Sequence, residues 1–383
     1  MRILQVNKFY DLRGGAERVL FDLQDGLRER GHEVVPFAMA DPRNEPTPWS
    51  RHFVPTRDYD QPGLGARVRQ ALLTVWDPQA RARMEDLLQD FQPDVAHLHN
   101  IYHQLSPSIL GPLRRRRIPV VMTLHDYKLA CPSYHLLRDG APCEKCVGKM
   151  VPLWCAVHVC SRGSRAESVV LSVESTVHRM LRLYRRGVDR FLCPSRFLAG
   201  VMERQGLPAE RLEVVPNAPR RVGAPAPWSR RDPHPTVLYA GRLSAEKGVD
   251  VLVEAARRVP RVRLRLAGDG PRLAELRAQA AGLEHVRFLG RLDATALVGE
   301  RGRAWAGALA SRWQENGPLS VLESFAAGRG MLVSDRGGLP EMVDEDCGRL
   351  LPADEVGAWA AALAPTSSAG SRRPQSSSTI SGR

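Results

Sequence analysis

The sequence predicts an α/β protein made of two doubly wound domains in series, and three observations carry that expectation. Short apolar runs rich in Val, Ile and Leu alternate with longer stretches of helical period. A proline- and arginine-rich segment near the middle interrupts this alternation, which then starts again. At 383 residues the chain is also too long for one ordinary core, so two domains are expected.

The first strand, Ile3 to Val6, leads into a loop containing Gly14 and Gly15. A helix follows from Ala16 to Arg30, with Val19, Leu20, Leu23 and Leu27 at helical spacing, closed by Gly31. Glu33 to Phe37 supplies the next strand, and strand, glycine loop, helix and strand in this order open a doubly wound sheet. Further apolar runs continue it at Asp94 to Leu98, Pro119 to Leu124, Arg190 to Cys193 and Glu213 to Val215. The first domain is therefore expected over 1–216 and the linker over 217–235. A second series begins with the strand Thr236 to Ala240 and the helix Val249 to Arg258. It continues with Arg263 to Ala267, a helix from Pro271 to Ala281, and Val286 to Leu289, giving a second domain over 236–364. Residues 365–383 are dominated by serine and poor in apolar residues, and read as a disordered tail.

Hydrophobic residues at 43% and charged residues at 25% are those of a folded enzyme, which excludes a disordered chain as a whole. The net charge of +13 favours anionic partners, unless it reflects only an arginine-rich solvated surface. MRILQVNKFY lacks the order of a signal peptide, and no apolar run is long enough to cross a bilayer, so a cytoplasmic protein is expected.

The segment SRWQENGPLSVLESFAAGRGMLVSDRGGLPE, ending at Glu341, is the richest in chemistry. Asn316 is placed to cap a helix and Pro318 suits its first turn. The N–H groups of Leu319, Ser320 and Val321 would then face outward at its positive end, a site for phosphate. Glu315 precedes that turn and Glu323 follows it, so one can accept from a ribose and the other from a sugar. Two glutamates at one spacing are common, and the pair gains its meaning from this context. In GRLSAEKGVD a strand ends in glycine, and the loop brings Arg242 and Lys247 to the carboxyl edge of the second sheet, where open α/β sheets bind ligands. Two cations there can neutralise a diphosphate and the charge that grows on it as a bond breaks.

Together GRLSAEKG, AGDGP and ENGPLSVLESFAAG followed by SDRGGLPE closely resemble the donor domain of the family 4 retaining glycosyltransferases, from the 190s to the 350s. The resemblance implies the GT-B fold, two Rossmann-like domains facing a cleft. It also implies that Arg242 and Lys247 contact a donor diphosphate, that Glu323 holds the ribose and that Glu315 lies near the donor sugar. Asn316, Gly317, Leu319 and Ser320 belong to the same donor site. The amino-terminal half is similar more loosely: Gly14 and Gly15 match a glycine loop under the donor phosphates, and His125, in VVMTLHDY, matches a histidine near the sugar. No nucleophile stands out, and the family's retaining reaction is ascribed to a front-face route assisted by the departing phosphate. His125, Glu315, Lys247 and Arg242 are then the groups that orient and stabilise. The expected donor is a UDP- or GDP-sugar, the acceptor a glycan or a lipid-linked group, the setting cell-surface polysaccharide or glycolipid synthesis. Nucleic acid is not an expected partner, and catalysis needs no cofactor.

Cys143 and Cys146 form a C-x-x-C pair with Cys131 upstream and Cys155 and Cys160 downstream. Cys131, Cys143, Cys146 and Cys160 are the expected ligands of a structural zinc, with an iron–sulfur cluster, free thiols and disulfides as alternatives. A helical stretch from Ser164 to Arg186 carries Val169, Val170, Val173 and Val177 beside several arginines. With Arg114 to Arg117 it could rest on an anionic membrane at the inner face, or it is a core-facing helix with a basic outer side. Because family members continue with helical sequence beyond the position of the serine-rich tail, a non-catalytic or truncated nucleotide-sugar-binding protein is the alternative reading. A nucleotide-sugar epimerase fits the glutamate pair less well.

Overall fold

The structure is a computed structural model that describes residues 1–56, 64–161, 163–219 and 225–364. The serine-rich tail and part of the expected linker lie outside the described residues. The chain divides into two compact units, Met1–Arg220 and Arg221–Arg383.

Unit 1 begins with β1 (Arg2–Val6), α1 (Gly15–Glu29) and β2 (Glu33–Phe37), followed by α2 (Leu64–Val75), α3 (Pro78–Asp90) and β3 (Val95–Leu98). Then come α4 (Leu110–Arg115), β4 (Val120–Thr123), the two-residue strands β5 (Leu137–Arg138) and β6 (Ala141–Pro142), and the short α5 (Leu153–Val157). The unit ends with α6 (Arg165–Met180), α7 (Leu183–Gly187), β7 (Arg190–Cys193), α8 (Arg196–Arg204) and β8 (Leu212–Val214). Its main sheet has the order β2-β1-β3-β4-β7-β8, every pair parallel. Both faces of such a sheet are covered, so Leu4, Val6, Phe37, Leu98 and Met122 are all buried in one core. Local chemistry sets the ends of the helices. The Asp77 carboxylate accepts from the N–H of Gln79 at 2.9 Å with Pro78 in the first turn, and Ser164 Oγ accepts from the N–H of Glu167.

The expected long helix over 164–186 is two helices. Arg182 adopts a left-handed conformation, φ 54°, which stops α6 and starts α7. The valine stripe is not the core face of a packed helix: Val169 and Val173 are exposed and Val170 and Val177 half-buried, whereas Ser168, Ser172, Glu174, Ser175 and His178 are buried.

Unit 2 contains β9 (Thr236–Ala240), α9 (Val249–Arg258), β10 (Arg263–Ala267), α10 (Leu273–Gln279), β11 (Val286–Gly290) and α11 (Ala294–Arg303). It continues with β12 (Ala306–Leu309), α12 (Leu319–Ala326), β13 (Gly330–Ser334), β14 (Gly348–Leu351) and α13 (Val356–Leu363). Its sheet has the order β11-β10-β9-β12-β13-β14, again all parallel. The α10 helix is shorter at both ends than the sequence pattern suggested. Trp359 of α13 is fully buried in the second core.

In unit 2 the first strand, β9, lies between β10 and β12, so successive connections leave it in opposite directions. The loops after β9 and β12 therefore part at their carboxyl ends, which is where doubly wound sheets leave room for a ligand.

Candidate active site

Lys247 lies on the loop after β9 and Glu315 on the loop after β12. Lys247 Nζ donates to Glu315 Oε1 at 2.7 Å, and Ser311 Oγ donates to the same oxygen at 2.6 Å. Glu315 is 3% exposed, and its Oε2 has no partner among the described residues, so one acceptor remains for a ligand. Lys247 Nζ also stands 5.3 Å from the centroid of the Trp313 ring. The sequence places Gly248 beside Lys247 for a reason the structure supplies. Its φ is +61°, and a Cβ there would sit 1.9 Å from the carbonyl oxygen of Ala310. The Glu315 backbone is fixed in turn, because Gly338 N–H donates to its carbonyl at 2.7 Å. Arg312 braces the loop by donating to both oxygens of Asp250 on α9, at 2.8 and 2.7 Å. Arg242 sits on the same β9 loop as Lys247, exposed, and its guanidinium has no partner among the described residues.

The helix α12 starts at Leu319, with Pro318 in the cap position and no side-chain cap. Asn316 is therefore not its cap, as the sequence had suggested. Gly317, at φ +72°, turns the chain between Asn316 and the helix. The N–H groups of Leu319 and Ser320 have no carbonyl within the helix to reach, whereas that of Val321 already donates to Pro318 O at 3.2 Å. The helix end thus offers two of the three donors expected, following the Glu315 carboxylate that Lys247 holds.

Glu323, inside α12, is held by an ion pair that the sequence did not reveal: Arg301 Nη2 of α11 donates to Glu323 Oε2. Both side chains are largely buried, at 6% and 14% exposure. The arginine comes from a helix 22 positions earlier, too far for any local pattern to indicate it.

In unit 1, a Cβ on Gly15 would meet nothing within 4 Å, and one on Gly14 only Glu17 Oε2 at 3.6 Å. Protein packing does not demand glycine at either position. His125 is the outer member of a stack of three imidazoles, of which the sequence signalled only this one. His97 and His99 stack with ring centroids 4.5 Å apart, and His99 with His125 at 5.1 Å. His99 Nδ1 lies 2.8 Å from His125 Nε2, and His97 Nε2 2.7 Å from Thr123 Oγ1. Burial lowers His97 to about 4 and His125 to about 3, and keeps His99 well below the ordinary imidazole value. All three are neutral at pH 7, so His125 can offer a hydrogen bond but not a positive charge. The alternation His97, Leu98, His99 at a strand end was the available signal.

Among the described residues, no group of three or more His, Cys, Asp or Glu could hold a metal ion, and Cys131, Cys143, Cys146 and Cys160 do not form one. The thiols that act on one another are those of Cys131, Cys146, Cys155 and Cys160, with Cys155 in place of Cys143. The neighbouring Cys160 side chain lowers Cys155, and burial raises Cys146 to about 11. All seven cysteines are free.

Residues 13–218 match the model of "Glycosyltransferase Family 4", and residues 234–366 that of "Glycosyl transferases group 1". The chain is 29% identical over 356 residues to a glycogen synthase of Mycobacterium tuberculosis, covering 90% of this chain and 80% of the relative. It is 26% identical over 374 residues to a phosphatidyl-myo-inositol mannosyltransferase of Mycolicibacterium smegmatis, covering 95% and 84%. Among solved structures, Anabaena HepE in complex with UDP superposes with a TM-score of 0.66 at 20% identity, covering 95% of this chain and 89% of that one. No helix among the described residues is long and apolar enough to cross a membrane. With two parallel six-stranded sheets of the GT-B class and a family match over more than half its length, the chain belongs to glycosyltransferase family 4.

Proposed function

We propose that this glycosyltransferase is a retaining enzyme that moves a hexosyl group from a UDP- or GDP-sugar to a glycan or lipid-linked acceptor, in cell-surface polysaccharide or glycolipid synthesis. The observation that carries the reading is the convergence at the β9–β12 switch point. The cations Arg242 and Lys247 and the two N–H donors of α12 suit a diphosphate, and the free Oε2 of Glu315 suits a sugar hydroxyl. Asn316 and Gly317 form the turn between these groups, and Glu323, held by Arg301, is the ribose acceptor.

In this reading the acceptor hydroxyl attacks the anomeric carbon on the face from which the nucleotide diphosphate departs. The departing phosphate oxygen takes the hydroxyl proton, and the anomeric configuration is kept. Lys247 and Arg242 stabilise the charge gathering on the diphosphate, so no covalent intermediate on the protein is needed. Gly14, Gly15 and His125 are kept as ligand-facing positions of unit 1. Gly15 borders open space, and His125 Nδ1 has no partner among the described residues. That UDP occupies the related HepE structure supports a nucleotide diphosphate here. The exposed Val169, Val173, Met180 and Leu181 beside Arg182 and Arg185 support a cytoplasmic enzyme that rests on an anionic membrane.

Calorimetric titration with UDP and GDP, followed by turnover of their hexose conjugates and NMR assignment of the product anomer, tests the proposal. An inverted anomer would remove the retaining route. Nucleotide binding without transfer to any glycan or lipid-linked acceptor would favour a binding subunit.

A further inference from the structure

The α6 helix buries its polar side, and that inversion leads to a second site. Glu174, 1% exposed at its side chain, accepts from Lys128 Nζ at 2.8 Å and lies 3.4 Å from His103. Beyond this pair, at the junction of α6 and α7, is a cavity of about 220 Å³. Lys149, Arg179, Arg182 and Arg185 line it together with Lys128, and no carboxylate does. Glu174 answers the charge of Lys128, which leaves the other four cations without a counter-charge in the lining.

Four of the lining residues also carry a buried polar atom without a partner. The hydroxyls of Tyr102, Ser175 and Tyr184, in residues that are 3%, 6% and 6% exposed, are buried without a partner, as is Arg179 Nε. Unsatisfied buried groups are uncommon and costly, and here four fall in residues that line one cavity. The Arg179 guanidinium is held in place, because its Nη2 donates to the carbonyls of Leu129 and Ala130 at 3.0 and 2.8 Å and its Nη1 to those of Cys146 and Lys149. Arg182 is held in the left-handed region, a conformation that a side chain other than glycine adopts only at a cost. Burial raises both tyrosine phenols well above their ordinary range, so they stay protonated and can donate.

Converging donors and cations call for a small ligand that is negative and rich in acceptors. We propose that this pocket of unit 1 binds a phosphate ester, with Tyr102, Ser175 and Tyr184 donating to its oxygens and Arg179, Arg182 and Arg185 neutralising its charge. The ester can be free in solution or the headgroup of a lipid, since Met150, Met180 and Leu181 are exposed around the same region. No residue of unit 2 lines the pocket, so the inference does not rest on the donor-site reading.

The test uses the full chain. Calorimetric titration with glycerol 3-phosphate probes the soluble source, and co-sedimentation with phosphatidylcholine vesicles, with and without phosphatidylglycerol, probes the lipid one. The parent is expected to bind glycerol 3-phosphate, or to prefer the phosphatidylglycerol vesicles, and the arm that responds names the source. Tyr184→Phe and Arg185→Gln should each weaken that binding about 10-fold. Tyr184→Phe leaves the net charge of +13 unchanged, so its effect separates the pocket from general attraction of anions. Without ligand it should melt no lower than the parent, because it removes an unpaired hydroxyl. The inference is overturned if no probe binds, if vesicles with and without phosphatidylglycerol bind equally and glycerol 3-phosphate does not bind, or if both variants bind as the parent does. It is equally overturned if Lys247→Ala, rather than Tyr184→Phe, abolishes the binding of glycerol 3-phosphate.

Discussion

Lys247 and Glu315 are 68 positions apart in sequence yet joined by a 2.7 Å hydrogen bond, which ties the loop after the first strand of unit 2 to the loop after its fourth. Lys247→Ala would leave a carboxylate that is 4% exposed without its cation, keeping only the Ser311 hydroxyl. The expected loss is about 2 kcal/mol of stability. Turnover should fall about 10²-fold, more than donor binding does, because the diphosphate charge is greatest in the transition state. Melting curves and initial rates at saturating donor read the two effects separately, and unchanged turnover would remove Lys247 from the site.

Glu323→Gln should act mainly on binding. The loss of a charge-assisted hydrogen bond to a ribose weakens the nucleotide diphosphate by about one to two decades, or roughly 1.5 to 3 kcal/mol. Because Arg301 loses the charge of its partner, the variant should also melt lower. Replacing both residues with leucine should restore part of the stability but none of the affinity, as read by calorimetry. Restored affinity in the double variant would show that Glu323 touches no ligand.

Two glycines should respond oppositely to alanine. Gly248→Ala drives a Cβ into the Ala310 carbonyl from a left-handed backbone, and its cost should exceed about 2 kcal/mol in chemical denaturation. Gly15→Ala enters open space in the first turn of α1, where alanine is the better helix former, so stability should hold or rise by about 0.5 to 1 kcal/mol. Its turnover should nonetheless drop, because the added methyl stands where a ligand is proposed to approach. Unaltered kinetics in Gly15→Ala would show that no ligand comes close to that position.

The histidine stack predicts how acid acts on unit 1. Unfolded imidazoles take up protons near pH 6.5, whereas His97 and His125 in the fold do so only near 4 and 3. The stability that this contributes is fully present above about pH 6.5 and declines as the pH falls toward 4. The slope is about 1.4 kcal/mol per pH unit for each independent imidazole. Glu174, also depressed in the fold, adds its own loss once the pH falls below about 4.5, where an unfolded glutamate begins to take up its proton, so above that value the imidazoles act alone. Melting temperatures measured from pH 7.5 to 5 should fall, and His97→Gln should flatten the curve. An identical profile for that variant would contradict the buried neutral stack.

The strands Glu33–Phe37, Arg190–Cys193, Thr236–Ala240 and Arg263–Ala267 were legible to the residue, because buried parallel strands show as short apolar runs bounded by turn residues. So were the loop of Lys247 and the turn before α12, where motif and edge position coincide. Asn316 misled because its spacing from the helix suits a cap, and only the φ of Gly317 shows the chain turning before Pro318. The valines of α6 misled similarly, since periodicity reveals a stripe but not which side of it is buried. Arg301–Glu323 and the His97–His99–His125 stack depend on which elements become neighbours, and a list of residues carries that only after the sheet order is known.

The placement of β9 between β10 and β12 also bears on how the protein is made. Thr236 and Ala306, where β9 and β12 begin, are 70 positions apart (306 − 236). At a synthesis rate of about 5 to 20 residues per second, the ribosome releases β9 roughly 4 to 14 seconds before β12. Over that interval one edge of β9 can pair with β10 while the other has no native neighbour, and Lys247 has no Glu315 to hold. The switch point that suits a ligand in the finished fold is thus the seam of the growing sheet that stays open longest, and the stretch of nascent chain most in need of protection from a passing strand.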